Sequence, residues 1–138
     1  PACGRRRWKM ASTEPHRGEV WLVSFGAARR GEPGKHRPAV VISADELSAG
    51  TMADLIVVVP LSSSSAPSAL RPEVAGVGGV DRSSRAICRA IRGVARPRLL
   101  RHVGTLPPET LAEIEHALEL ILGLKGSPTV SSIAARSQ

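Results

Sequence analysis

A chain of 138 residues and 14.5 kDa suits one compact domain and can bury a core without disulfide or metal staples. Aromatic residues make up only 2% (Trp8, Trp21 and Phe25, with no Tyr), which excludes an RNA module that stacks several bases on a sheet of aromatics. A net charge of +7 and a pI near 11.0 instead make an anionic partner the first to consider.

In chain order, residues 1–9 carry Arg5, Arg6, Arg7 and Lys9 and no acid. They read as a disordered leader or a remnant of foreign residues, with a nucleic-acid arm as the alternative. The leader is taken to extend over residues 1–14, and Met10 resembles a natural start. Glu19–Phe25 then reads as a strand between Gly18 and Gly26. Residues 26–36, with three Gly, two Arg, one Lys and Pro33, form a long loop. Pro38–Ser43 is a short β-branched strand. Leu55–Leu61, the most apolar run, is a strand buried on both faces and followed by four serines. Val74–Val80 and Ala86–Val94 are weaker strand candidates. Short strands at close spacing predict a mainly β (α+β) fold, a small antiparallel barrel over residues 15–124. Trp21 reads as core.

The last element follows helical spacing: Leu111, Ile114, Leu118, Ile121 and Leu122 repeat on one face. Pro108 suits the first helical position, Glu109 complements the positive end of the dipole, and Gly123 supplies a stop. These signals predict an amphipathic helix over 107–124 packed on the barrel, its outer face made acidic by Glu109, Glu113, Glu115 and Glu119. Residues 125–138 read as a loose Ser/Ala-rich tail. The acidic helix conceals basicity elsewhere. Arg82, Arg85, Arg89, Arg92, Arg96, Arg98 and Arg101 follow one another with no acid between Arg82 and Pro108. This run is either a groove that tracks a nucleic-acid backbone or a solvated basic face.

Few chemistries survive the residue inventory. The two cysteines, Cys3 and Cys88, make no CxxC pair, so a reducing cytoplasm is the expected setting. No apolar run approaches the about 18 residues that cross a bilayer. The four histidines lie far apart in metal-ligand terms, and the clustered glutamates lie along the helix. What remains is two loops beside buried strands: Gly34-Lys35-His36-Arg37-Pro38, running into the second strand, and Pro60-Leu61-Ser62-Ser63, where the third ends. Arg37 beside the rigid Pro38 is aimed reproducibly, and an anionic transition state on phosphorus needs such a fixed cation. Ser62 could add a hydroxyl donor to the same phosphate. The plainer alternatives are a loop salt bridge for Arg37 and a turn residue for Ser62.

RGEVWLVSF, KHRPAVVIS, LIVVVPLSS, RLLRHVGTL and LAEIEHALELILGL, in that order from Arg17 to Leu124, resemble the MazF/PemK type of endoribonuclease toxin. The resemblance implies an SH3-like barrel of the MazF/CcdB type with a C-terminal helix, assembled as a homodimer. It implies cofactor-free, metal-independent cutting of single-stranded mRNA at a short sequence, leaving 2′,3′-cyclic phosphate and 5′-hydroxyl ends, and neutralisation by a cognate antitoxin. The family's catalytic Arg falls on Arg37 and its Thr or Ser on Ser62. An Arg is almost always protonated, so stabilising a pentavalent phosphate and protonating the leaving oxygen suit Arg37 better than acting as a base. Arg92 and Arg98 match basic family positions and are read as phosphate contacts. Arg29, Arg30 and Lys35 are read as closing over RNA or antitoxin, and His36 and Ser63 complete the RNA-facing set. His36 has a pKa suited to proton transfer, although strand neighbours point to opposite faces.

The chain also departs from the family pattern. Ser24 stands where an Asp is usual, Phe25-Gly26 replaces a DP-type turn, and Arg89-Ala90 replaces Asp-Gln. The cut sequence therefore does not transfer from relatives. Two rival readings remain, a non-catalytic nucleic-acid-binding barrel and a gyrase-poisoning toxin of the same fold. The latter is known for a C-terminal Trp-Gly-Ile, where this chain has Ala-Arg-Ser-Gln.

Overall fold

Strands β1 (Glu19–Ser24), β2 (His36–Val41), β3 (Leu55–Ser62), β4 (Arg85–Ala86), β5 (Arg92–Ala95) and β6 (Leu99–Thr105) form one antiparallel sheet. Its order is β4-β3-β2-β1-β6, with β5 joined to β3. A single helical turn, α1 (Asp45–Ser48), follows β2, and the helix α2 (Pro108–Leu122) follows β6. The computed structural model describes residues 14–26, 36–48, 55–74, 77, 80–81 and 83–124. The expected leader up to residue 13, loop residues 27–35 and the tail 125–138 lie outside the described residues.

β3 is the axis of the sheet. On one side Ala39, Val40 and Val41 of β2 stand opposite Pro60, Val59 and Val58. On the other side β5 covers Leu55–Val58, and β4 covers Leu61 and Ser62. Pro60 has no N–H to donate and sits where the ladder changes partner, a position proline tolerates. The Ile87 N–H reaches the Pro60 carbonyl there at 2.9 Å. The stretch 86–94, which reads as one strand by composition, is thus two strands broken by a 3₁₀ turn at Cys88–Ala90.

Alternation along the strands sends two sets of side chains to opposite faces. Val20, Val40, Val59 and Leu61 join Ala86 and Cys88 against Ile114, Ala117 and Leu118 of α2. Trp21, Val23, Ala39, Val41, Ile56, Val58 and Val94 form the second cluster, extended by Phe25 and Leu99. With both faces covered, β3 has no need of polar residues between its apolar ones, which accounts for LIVVVPL. Trp21 is core, as its neighbours in sequence suggest.

One further strand expectation differs from the structure, and one strand is unexpected. Val74–Val80 forms no strand among the described residues. Val74 and Val77 are buried, but the Val74 N–H bonds the Ser84 carbonyl and Glu73 makes only an isolated bridge to Arg85. Conversely, β6 carries no period-two pattern, because its pairing with β1 shifts register between Val20 and Trp21 and again between Leu22 and Val23. Each irregularity changes which side chains face the core, and it leaves Leu100, Arg101 and His102 exposed in a row.

α2 starts one residue later and ends two earlier than 107–124. Pro107 is extended before it, and Gly123 closes it in the left-handed region at φ 63° with its N–H bonded to the Glu119 carbonyl. Ile114, Ala117, Leu118 and Leu120 are buried, whereas Leu122 is 53% exposed, so the apolar stripe is narrower at its end than the spacing suggests. The Arg17 guanidinium bonds both the Glu115 carboxylate and the Ile42 carbonyl, tying the start of β1 to the helix. No helix among the described residues is long and apolar enough to cross a membrane.

Gly18 is the joint of this arrangement. Its N–H bonds the Val41 carbonyl at 2.8 Å and its carbonyl accepts the Leu106 N–H at 2.9 Å. Its φ is +90°, and a Cβ there would meet Leu111 Cδ2 at 3.3 Å. Gly18→Ala is therefore expected to destabilise the fold by about 1–3 kcal/mol, seen as a lowered Tm in a thermal melt. An unchanged Tm would show that this turn carries no such constraint.

Candidate active site

The register of the sheet brings the two sequence candidates together. Ala39 stands opposite Pro60, so two residues further along Arg37 comes level with Ser62. Arg37 also stands opposite Val23 of β1, and Ser62 stands opposite Arg85 of β4. A cleft of about 390 Å³ opens at this end of the sheet. It is lined by Arg37 and Pro38 of β2, Leu61 and Ser62 of β3, Ser63 and Ser64 beyond it, and Asp81 and Ser84 before β4.

Local geometry places Arg37 and orients Ser62 and Asp81 in the cleft. Pro38 fixes the backbone beside Arg37, a half-buried residue whose guanidinium makes no hydrogen bond or ion pair among the described residues. Its planar fork of donors is therefore open to a ligand. Ser62 closes β3, and its Oγ accepts the Ser64 N–H at 3.3 Å while lying 3.2 Å from Ser64 Oγ. This turn orients the hydroxyl at the strand end. Asp81 Oδ1 accepts the Ser83 N–H at 2.8 Å and the Ser83 hydroxyl at 2.7 Å, and Ser84 N–H bonds the Asp81 carbonyl at 3.0 Å. The Ser83 backbone N–H, and after it the Ser83 hydroxyl, hold the Asp81 carboxyl below the ordinary Asp value. A cation and a hydroxyl on one wall can grip a phosphate, and a fixed carboxylate opposite can accept hydrogen bonds.

The remaining sequence candidates lie around this cleft or beyond the described residues. Ser63 lines it. His36 is exposed, opposite Ser24, and is not among the lining residues, in keeping with the alternation of strand neighbours. Arg92 and Arg98 converge on the end of β1, next to the strand residue that faces Arg37. The Arg92 guanidinium stacks 5.2 Å from the Phe25 ring centroid, and Arg98 Nη1 donates to the Ser24 carbonyl at 3.3 Å. Arg29, Arg30 and Lys35 lie outside the described residues.

The basic run from Arg82 to Arg101 is divided by the fold, and Arg82 lies outside the described residues. Arg85 donates to the Arg71 carbonyl at 2.9 Å and Arg96 to the Ser48 carbonyl at 3.2 Å, so these two bind backbone within the fold. Arg89 and Arg101 are exposed on separate elements. Asp81, Ser64 and Ser84 were not among the sequence candidates. The only signal for Asp81 is the Asp-x-Ser turn pattern, which marks a turn and not a site. Cys88 is a poor nucleophile, because burial pushes its thiol up to about 11.

A family model described as PemK-like, MazF-like toxin of type II toxin-antitoxin system matches residues 16–122. Endoribonuclease MazF9 of Mycobacterium tuberculosis is 36% identical over 115 residues, covering 78% of this chain and 96% of that relative. Among solved structures, MazF (Form-I) from Deinococcus radiodurans gives a TM-score of 0.67 at 23% identity, over 80% of this chain and 98% of that one. An endoribonuclease in complex with its cognate antitoxin from a mycobacterial species gives 0.66 at 20% identity, over 80% and 96%. At these identities the two structures show a shared fold, a mainly β barrel with a C-terminal helix.

Proposed function

The chain belongs to the PemK-like, MazF-like toxin family of type II toxin–antitoxin systems, and from that premise we propose that its cleft cuts single-stranded mRNA. The observation that carries this reading is the meeting in one cleft of Arg37, unpartnered among the described residues, and an oriented Ser62 hydroxyl. The proposed nucleophile is the ribose 2′-hydroxyl of the RNA. It gives up its proton to water and attacks the adjacent phosphorus, forming the 2′-O–P bond as the P–O5′ bond breaks; the departing 5′-oxygen takes up a proton, leaving 2′,3′-cyclic phosphate and 5′-hydroxyl ends. Arg37 stabilises the charge on the pentavalent phosphorus and favours protonation of the leaving oxygen. Ser62 donates to a non-bridging oxygen of the same phosphate.

Arg92 and Arg98 hold neighbouring phosphates in this reading, while Arg29, Arg30 and Lys35 close over the strand beside His36 and Ser63. Residues 15–124 are the acting domain, which works in the cytoplasm as a homodimer. A cognate antitoxin offers an acidic segment to the basic side. The named relative is an endoribonuclease, and a structural neighbour was solved with its cognate antitoxin, which supports both halves of the reading.

Incubation with RNA in EDTA, followed by mapping of 5′ ends, tests it. Discrete cuts with 5′-hydroxyl ends are expected. Intact RNA would favour a non-catalytic nucleic-acid-binding barrel or a gyrase-poisoning toxin. Ser62→Ala is expected to slow single-turnover cleavage by about 10²–10³, the usual cost of one preorganised donor. An unchanged rate would remove Ser62 from the phosphate.

A further inference from the structure

Asp81 is out of place in a cleft that grips phosphate. Among the described residues that line the cleft it is the only acid, and a carboxylate repels a phosphodiester. Phosphate contacts position a nucleic acid, whereas contacts to base edges specify sequence, and a carboxylate is an acceptor suited to the second task. We propose that Asp81 reads a nucleobase: its second carboxylate oxygen accepts a hydrogen bond from the 4-amino group of cytosine or the 6-amino group of adenine and disfavours uracil, which offers a carbonyl oxygen on that edge. The inference rests on the cleft being the RNA-cutting site.

Three observations carry it. First, both hydrogen bonds that Asp81 accepts, from the Ser83 N–H and the Ser83 hydroxyl, end on Oδ1. Oδ2 has no partner among the described residues, so one acceptor is fixed in direction and open. Second, the turn is tied to the catalytic wall through β4: it leads directly into Arg85, which is paired with Ser62 across the β3–β4 ladder. An acceptor held there keeps a constant distance from the scissile phosphate. Third, the same donors that fix Asp81 keep it ionised, so it is a weak base and a poor candidate for taking the 2′-hydroxyl proton. Uracil presents a carbonyl oxygen where cytosine and adenine present an amino group, and that oxygen would face the lone pairs of Oδ2.

The test is cleavage of an RNA library, randomised around the cut, by the wild-type chain, Asp81→Asn and Asp81→Ala, with sequencing of the 5′-hydroxyl ends. The wild type is expected to disfavour uracil at one position of its motif by about tenfold. Asp81→Ala should erase that preference while leaving the other positions unchanged. Asp81→Asn, which can still accept the Ser83 N–H and so keep the turn, should admit uracil through its amide N–H. Thermal melts of both variants check that the fold is retained. An identical motif in both variants overturns the inference even if the rate changes uniformly, and so does an equal loss of rate on every sequence, the mark of a general base. A wild-type chain that cuts no RNA overturns the underlying reading together with this one, and it does so before any variant is made.

Discussion

Arg37→Ala is expected to slow RNA cleavage by about 10³–10⁵, the range found when a cation is removed from a transferring phosphoryl group. The size follows from three features of the site. The guanidinium makes no hydrogen bond or ion pair among the described residues, so nothing within the described fold competes for its donors. Ser62 beside it is neutral and Asp81 is an anion, so among the described lining residues no other group can balance the charge that gathers on phosphorus. The backbone of residue 37 stays paired with Val23 after truncation, and stability should move by no more than about 0.5 kcal/mol. Arg37→Lys keeps the charge but loses the planar fork, so it should recover only part of the rate. Single-turnover cleavage and a melting curve on the same preparations separate the two effects. A full rate in Arg37→Ala would move the chemistry elsewhere in the molecule.

The parts of this molecule that could be read from sequence are those whose signal is local. EVWLVS, HRPAVV and LIVVVPLS announce strands because their side chains are buried by neighbours that keep a constant register. α2 announces itself through its apolar stripe and through Pro108 and Gly123 at its ends. β6 does not, since the two register shifts against β1 scramble the alternation of LLRHVGT. The break between β4 and β5 is equally silent, being imposed by a tertiary partner: β3 can hold both only if the chain turns at Cys88–Ala90.

The site divides in the same way. Arg37 and Ser62 each sit where a buried strand meets a loop, which sequence can show, and the β2–β3 register then joins them. Asp81 enters the cleft from a loop more than fifteen residues beyond Ser63, brought back where β4 pairs with the end of β3. The arginine run looks continuous because sequence hides that Arg85 and Arg96 bond carbonyls inside the fold.

Ile114→Ala is expected to cost about 2–5 kcal/mol, a large share of the about 5–15 kcal/mol that holds a domain of this size together. Ile114 is fully buried in the middle of α2, within the cluster that joins Val20, Val40 and Val59 of three neighbouring strands to the helix. Those strands are pinned by their own ladders and the helix by Arg17 and Glu115, so the walls around the missing atoms have little freedom to close. The cost should therefore lie above that of simple transfer to water. Leu122→Ala on the same helix, where the side chain is 53% exposed, should stay within about 0.5 kcal/mol. Urea unfolding of both variants distinguishes packing from helix propensity, because Ala is the better helix former at either position and would raise stability if propensity governed. The midpoint for Ile114→Ala should fall with an unchanged m-value. Equal midpoints for the two variants would mean that α2 is not seated on the sheet through this face.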